Sequence, residues 1–174
     1  MSFNVSIGDI AKLAQENNFD VIIHGIHCFN YANSGAAQSI TQAFPAAFEA
    51  DKKTVKGDRS KLGTYSHAVC HPNNKPLVVV NAYTQYYYGR KHYQDPNGFD
   101  YMAFDSLCKR IKTRFAGRGL RFGFPLIGGD RGNADPHRIF RTLKQHMPEE
   151  DLTLVLFDEP GRRKKYKPSD FDDI

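Results

Sequence analysis

Hydrophobic and polar positions along this chain switch between two periods. Phe3-Asn4-Val5-Ser6-Ile7 alternates with the period of two of a half-buried strand, and Gly8-Asp9 then opens Ile10-Ala11-Lys12-Leu13-Ala14-Gln15, whose apolar spacing is helical. Asp9 stands at the N-cap, where its carboxylate can accept from the first backbone N–H groups. Val21-Ile22-Ile23 reads as a fully buried strand, and the irregular run after it predicts a loop beginning near His24 and continuing to Gly35. Ala36 to Phe44 reads as a helix, and Pro45 opens a second over Ala46 to Lys52. Lys56 to Leu62 is charged and reads as a surface connection. Thr64 to Cys70 alternates like a strand, Pro72-Asn73-Asn74 is a turn, and Leu77-Val78-Val79-Val80 is a buried strand feeding a tyrosine-rich loop, Asn81 to Arg90. Asp100 to Arg114 places Met102, Phe104, Leu107 and Ile111 at near-helical spacing with Phe115 beyond them, until Gly117 and Gly119 stop the pattern.

Phe122 to Asp135 then reads as a short buried strand, a glycine-rich loop and a helix start. Asp135-Pro136 opens that helix, which runs to about His146, and Leu152 to Phe157 is a last buried strand. Strands and helices alternate throughout, as in a layered α/β domain. Gly128, Gly129 and Gly132 let backbone N–H groups approach an anion without Cβ interference, next to the positive end of the following helix. The plainer reading is a tight strand-to-helix turn. No Lys-Ser/Thr follows the glycines as a P-loop requires, and the G-x-G-x-x-G dinucleotide spacing is absent.

The chain has 174 residues, enough for one domain with a real core. The expected division is a domain over 1–158 and a tail over 159–174, where Arg162-Arg163-Lys164-Lys165-Tyr166-Lys167 is followed by Asp170, Asp172 and Asp173. That composition reads as a solvated, disordered tail, or as an electrostatic arm for nucleic acid. No apolar run approaches membrane length and no signal peptide is evident, so a soluble cytoplasmic protein without a membrane partner is expected. Three cysteines fit a reducing compartment, and the net charge of +5 favours anionic ligands without naming one.

Taken together, Gly8-Asp9-Ile10, the loop from His24 to Ala37 and the loop from Phe124 to Asp135 resemble the macrodomain family, the ADP-ribose-binding module. The resemblance extends nearly to Asp158, and the small macrodomains that process ADP-ribose-1″-phosphate are the most similar in pattern. It implies a three-layer α/β/α fold with a mixed central sheet, and a ligand cleft at the carboxyl ends of its strands. Asp9 then matches the aspartate that accepts from the adenine amino group, with Ile10 beside it. Phe157 matches an aromatic that packs on adenine, although a core aromatic is the alternative. Asn30 falls on an asparagine that meets the distal ribose, and Ser34, Gly35 and Ala36 fall where the family often has three glycines. Ile127, Gly128, Gly129, Asp130, Arg131 and Gly132 match the loop whose amides wrap the diphosphate; Asp130 departs from a common glycine, and its carboxylate must point away from phosphate or be paired. Asp135 resembles an acidic residue just beyond that loop, or is simply the N-cap ahead of Pro136.

The chemistry implied is release of phosphate from ADP-ribose-1″-phosphate, with His24 or His27 activating water, Asn30 holding the ribose and Asp135 nearby. A glycohydrolase acting on ADP-ribosylated protein or nucleic acid, and a reader without catalysis, are the alternatives. The resemblance implies no metal, redox cofactor or covalent cysteine. Cys108 and Arg114 have the spacing of a cysteine phosphatase but lie in a helical pattern without glycine, so no amide cradle surrounds the thiol. His67, Cys70 and His71 with His27-Cys28 have no zinc-site spacing. Tyr86, Tyr87 and Tyr88 with Arg90, Lys91 and His92 have the make-up of a base-stacking surface for single strands, but are expected instead to border the ligand cleft.

Overall fold

The computed structural model describes residues 3–30, 35–87, 98–128, 134–157 and 166–174. Among these the strands are β1 (Phe3–Ile7), β2 (Val21–His27), β3 (Tyr65–Cys70), β4 (Leu77–Gln85), β5 (Arg121–Phe124) and β6 (Asp151–Leu156). The helices are α1 (Ile10–Gln15), α2 (Gly35–Ala43), α3 (Pro45–Lys52), α4 (Tyr101–Phe115) and α5 (Pro136–His146). The strands form one mixed sheet in the order β1-β6-β5-β2-β4-β3, with every neighbour parallel except the β3–β4 pair. Helices cover both faces, giving three layers. On one face Ile10, Ala14, Ile40, Phe44 and Ala47 of the α1–α3 layer pack on Ile22, Val79 and Val155. On the other, Phe104, Leu107 and Ile111 of α4 and Ile139, Phe140 and Leu143 of α5 pack on Ile23, Val80, Phe122 and Leu154.

Because β1, β6, β5, β2 and β4 run parallel, their carboxyl ends share one edge of the sheet. This is where an open α/β sheet places its ligands. Ile7, Leu156, Phe124, His27 and Gln85 mark that edge.

Three sequence expectations are corrected. β2 continues through His27 and β4 through Gln85, where loops were expected from His24 and Asn81. In the parallel register His24 lies opposite Asn81, and its Nε2 stands 2.7 Å from Asn81 Oδ1, so two polar side chains satisfy each other inside the sheet. The segment Lys56 to Leu62 is not wholly a surface connection, since Lys61, in a 3-10 turn over Arg59–Lys61, is buried. Residues 166–174 are not a solvated tail. Phe171, in a 3-10 turn over Pro168–Phe171, is 3% exposed and packs edge-on against Phe140, with ring centroids 6.3 Å apart. Its ring also stacks on His137, at 5.9 Å and 21°. Tyr166 and Ile174 also pack against this core, so the apolar residues of the segment outweigh the charges among them.

Candidate functional site

At one end of the cleft edge the chain turns from β1 into α1. Gly8 N donates to Leu156 O at 2.9 Å, holding the turn against β6. Asp9 is exposed and caps α1: its Oδ1 accepts from Ala11 N at 3.0 Å and Lys12 N at 3.3 Å, which leaves Oδ2 for a ligand. Ile10 is buried beneath it, so its side chain belongs to the core. Phe157, just past β6, is 56% exposed. Of the two readings of Phe157, the core aromatic is excluded.

In the middle, the chain leaves β5 through Pro125 and Leu126 to Ile127, whose side chain is buried against Gly25 of β2; a Cβ at Gly25 would lie 2.8 Å from Ile127 Cγ2. Gly128 has φ +66° and sits so close to Phe99 that a Cβ would lie 2.5 Å from its ring carbon Cδ2. Its carbonyl accepts from Ala134 N at 2.9 Å, so the two ends of the glycine-rich segment are drawn together. Gly129, Asp130, Arg131 and Gly132, expected at a diphosphate, lie outside the described residues, as does Ser34. Asp135 caps α5, its Oδ1 accepting from His137 N at 3.0 Å, while its own N–H donates to Tyr101 Oη at 2.9 Å. The structure thus gives Asp135 the capping role.

At the other end, the carboxyl end of β2 leads into the first loop. His24 is 1% exposed and does not reach the cleft surface. Burial pushes its pKa down to about 4, partly offset by the bond to Asn81, so the ring is neutral at physiological pH. Asn81 Nδ2 donates to Ala47 O at 2.8 Å and Ser66 Oγ at 3.0 Å, which leaves Asn81 Oδ1 to accept from His24 Nε2–H. His27 is also buried, and its Nδ1 accepts from Phe29 N at 3.1 Å. Neither histidine is presented to a cleft water as the sequence led one to expect. Asn30 has φ +60°, and its side chain is already engaged: Nδ2 donates to Thr54 O at 2.6 Å, and Oδ1 accepts from Lys61 Nζ at 2.6 Å. Gly35, with φ +63°, starts α2 with nothing within 4 Å of where a Cβ would stand, and Ala36 packs against the core of that face.

Under this loop lies a polar cluster that sequence reasoning missed. Lys61 Nζ also donates to Cys28 O at 2.9 Å and stands 4.8 Å from the centre of the Tyr83 ring. Tyr83 Oη donates to Asp51 Oδ1 at 2.7 Å, and Asp51 is fully buried. Burial raises the Asp51 pKa, offset by the Tyr83 bond and the Lys61 charge, and lowers that of Lys61, offset chiefly by Asp51. A signal for Asp51 was present, since it falls four residues after Ala47 on the apolar face of α3, where a solvated aspartate has no place. Nothing comparable marked Lys61. Burial also pushes the Cys28 thiol up to about 12, so it stays protonated. No helix among the described residues is long and apolar enough to cross a membrane.

No protein-family model matches the chain. An uncharacterized 17.5 kDa protein from the tk-vs intergenic region of Enterobacteria phage T4 is 40% identical over 97 residues, 55% of this chain; the match spans 57% of that curated relative. Among solved structures, a protein of unknown function from Bacteroides thetaiotaomicron is similar at 18% identity, covering 90% of this chain and 98% of that one, with a TM-score of 0.76. The macrodomain of Thermus aquaticus DarG is similar at 14% identity over 91% of this chain and 99% of its own, with a TM-score of 0.66. Thermosipho africanus DarTG in complex with ADP-ribose is similar at 11% identity over 97% of this chain and 44% of its own, with a TM-score of 0.67. At such identities the likeness is one of fold, and the fold is that of a macrodomain.

Proposed function

We propose that this chain of macrodomain fold binds ADP-ribose along the carboxyl edge of its sheet and hydrolyses ADP-ribose-1″-phosphate to ADP-ribose and phosphate. The observation that carries the reading is the convergence on one edge of the Asp9 cap, the exposed Phe157 ring and the drawn-together ends of the glycine-rich segment, Gly128 and Ala134. Asp9 Oδ2 accepts from the adenine amino group while Oδ1 continues to cap α1, and Phe157 packs on the base. Gly129, Asp130, Arg131 and Gly132 are assigned to the diphosphate on their sequence pattern, following Gly128. Ile10 and Ile127 contribute backbone and support, since their side chains are buried. The ADP-ribose complex of a protein with this fold supports the same choice of ligand.

The distal ribose falls to the first loop, at Asn30, Ser34, Gly35 and Ala36, with Asn30 acting through the shape of its left-handed turn because its side chain is bound to Thr54 and Lys61. With His24 buried and His27 Nδ1 occupied, the proton of the attacking water passes to a phosphate oxygen of the substrate. Water oxygen attacks phosphorus, the P–O1″ bond breaks, and O1″ leaves with a proton as the hydroxyl of ADP-ribose. The protein contributes position and amide donors rather than a titrating side chain.

Calorimetry with ADP-ribose, followed side by side by phosphate release from ADP-ribose-1″-phosphate and cleavage of ADP-ribosylated protein and nucleic acid, tests both halves. Binding with phosphate release supports the proposal. Cleavage without phosphate release transfers the chain to the glycohydrolases, and binding without turnover makes it a reader. Absence of heat ends the ADP-ribose assignment. Asp9→Ala should weaken binding by about 1.5 to 3 kcal/mol, the worth of one charge-assisted hydrogen bond.

A further inference from the structure

β3 forms the edge of the sheet, and on the face shared with α4 that edge is left open. Tyr65, His67 and Val69 point to this face, opposite Ala82, Val80 and Val78 of β4, and both His67 and Val69 are exposed. Beside them runs the outer side of α4 and the turn after it. A groove of about 690 Å³ lies between, lined by Tyr65, Lys109, Arg110, Thr113, Arg114 and Arg118, four of which are cations and none an acid. Arg110, Arg114 and Arg118 follow one another at four-residue steps, so the two helical members lie about one turn apart, some 6 Å. The carboxylate beside the row, Asp105, lies 3.3 Å from Lys109 Nζ and 2.7 Å from His146 Nε2, at the end of the row away from Arg114 and Arg118.

Complementing the dipole at the end of α4 accounts for a basic residue in its last turn. It does not account for four cations turned to one hollow whose opposite wall is aromatic. Tyr65 is braced by Phe115, with ring centroids 6.4 Å apart, and by His67 at 5.8 Å, so the wall is a supported ring surface. A cationic row that follows a phosphate backbone, facing an aromatic surface on which bases stack, is how single strands are held without reading their sequence. Duplex DNA keeps its base faces stacked inside and could use only the cations.

We propose that the groove between α4 and β3 binds single-stranded nucleic acid, with Lys109, Arg110, Arg114 and Arg118 on successive phosphates and Tyr65 under a base. The site is separate from the carboxyl edge and does not depend on the ADP-ribose reading.

Anisotropy titrations of the full chain with labelled 12-mers of thymidylate and of uridylate, and with a 12-base-pair duplex, test it. Either single strand should bind more tightly than the duplex, and affinity should fall with salt at a logarithmic slope of about −0.7 per phosphate, roughly −3 for four. Arg110→Gln with Arg114→Gln should reduce that slope by about 1.4, at least tenfold in affinity at low salt. Tyr65→Leu, which retains an apolar body but no ring, should weaken the single strands by about 5- to 150-fold and leave the duplex unchanged. Lys53→Gln with Lys75→Gln removes the same charge from exposed positions outside the groove and should change little. Equal loss in that control pair, equal affinity for duplex, or no binding of either strand overturns the proposal. So does an acidic peptide, polyglutamate, that binds the groove more tightly than both strands.

Discussion

Lys61 Nζ stands 2.6 Å from Asn30 Oδ1 and 2.9 Å from Cys28 O, so one buried ammonium ties both ends of the turn that leaves β2 for the first loop. Asn30, a residue type that tolerates the left-handed region, is held there by the bonds its side chain makes with Lys61 and Thr54. Lys61→Met should release this turn and leave buried acceptors unpaired. We expect a loss of stability of about 2 kcal/mol or more by urea unfolding. ADP-ribose affinity should fall further than a Lys53→Met control, because the loop rather than the charge is what the ligand meets. Unchanged stability would remove Lys61 from the support of the loop.

His24 carries a pH dependence whose sign is fixed by its burial. Its folded pKa of about 4 lies below the ordinary 6.5, so the unfolded chain binds the proton more readily. The stability this site contributes is complete above pH 6.5 and is lost as pH falls toward 4, about 3 kcal/mol across that interval. His24→Gln, whose amide can still donate to Asn81 Oδ1, should flatten the acid limb of a stability–pH curve measured by urea unfolding. If the limb keeps its slope, another group carries it. Turnover between pH 6.5 and 8 should be insensitive to the same substitution, in contrast to the loss of about a hundredfold or more expected of a general base.

The chain order of strands and helices was legible because Val21 to Ile23, Leu77 to Val80 and the helical spacing of Phe104, Leu107 and Ile111 are long local patterns. The Asp9 and Asp135 caps were legible for the same reason, since an N-cap bonds within three residues. What failed was long-range polar pairing. His24 and Asn81 each read as a strand end because each is polar alone, and only their register across two strands makes both compatible with burial. Lys61 failed likewise, since its partners Cys28 and Asn30 lie more than thirty residues away.

Phe171 fills the remaining space beside Phe140 and His137, and His137 Nε2 in turn lies 2.6 Å from an Asp173 carboxylate oxygen. Phe171→Ala should cost about 3 to 5 kcal/mol, as truncation of a buried phenylalanine does. Thermal unfolding reads the loss directly. A Ser169→Ala control, in the same 3-10 turn, should lie near wild type, which separates packing from the presence of the segment. Wild-type stability in Phe171→Ala would restore the picture of a solvated tail that adds nothing to the core.

Gly128 joins the end of β5 to the glycine-rich segment under two constraints that can be told apart. The first is its backbone: at φ +66° any residue with a Cβ is strained by about 1 to 2 kcal/mol. The second is space, because the added carbon would overlap the Phe99 ring at 2.5 Å and press on Ala134 Cβ at 3.0 Å. Overlap of this kind costs about 1 to 3 kcal/mol, so Gly128→Ala should lose about 2 to 5 kcal/mol in all. Any shift at Gly128 also disturbs the bond from Ala134 N that closes the segment, so ADP-ribose affinity should fall with it. Phe99→Leu replaces the ring with a smaller branched chain and should itself be destabilising. In combination with Gly128→Ala it should recover part of the overlap cost and none of the backbone cost, a coupling of about 1 kcal/mol or more in a double-mutant cycle. Additive losses would mean that the glycine is required for its φ alone. Wild-type stability and binding in Gly128→Ala would mean that the close approach of Phe99 to this turn does not shape the site.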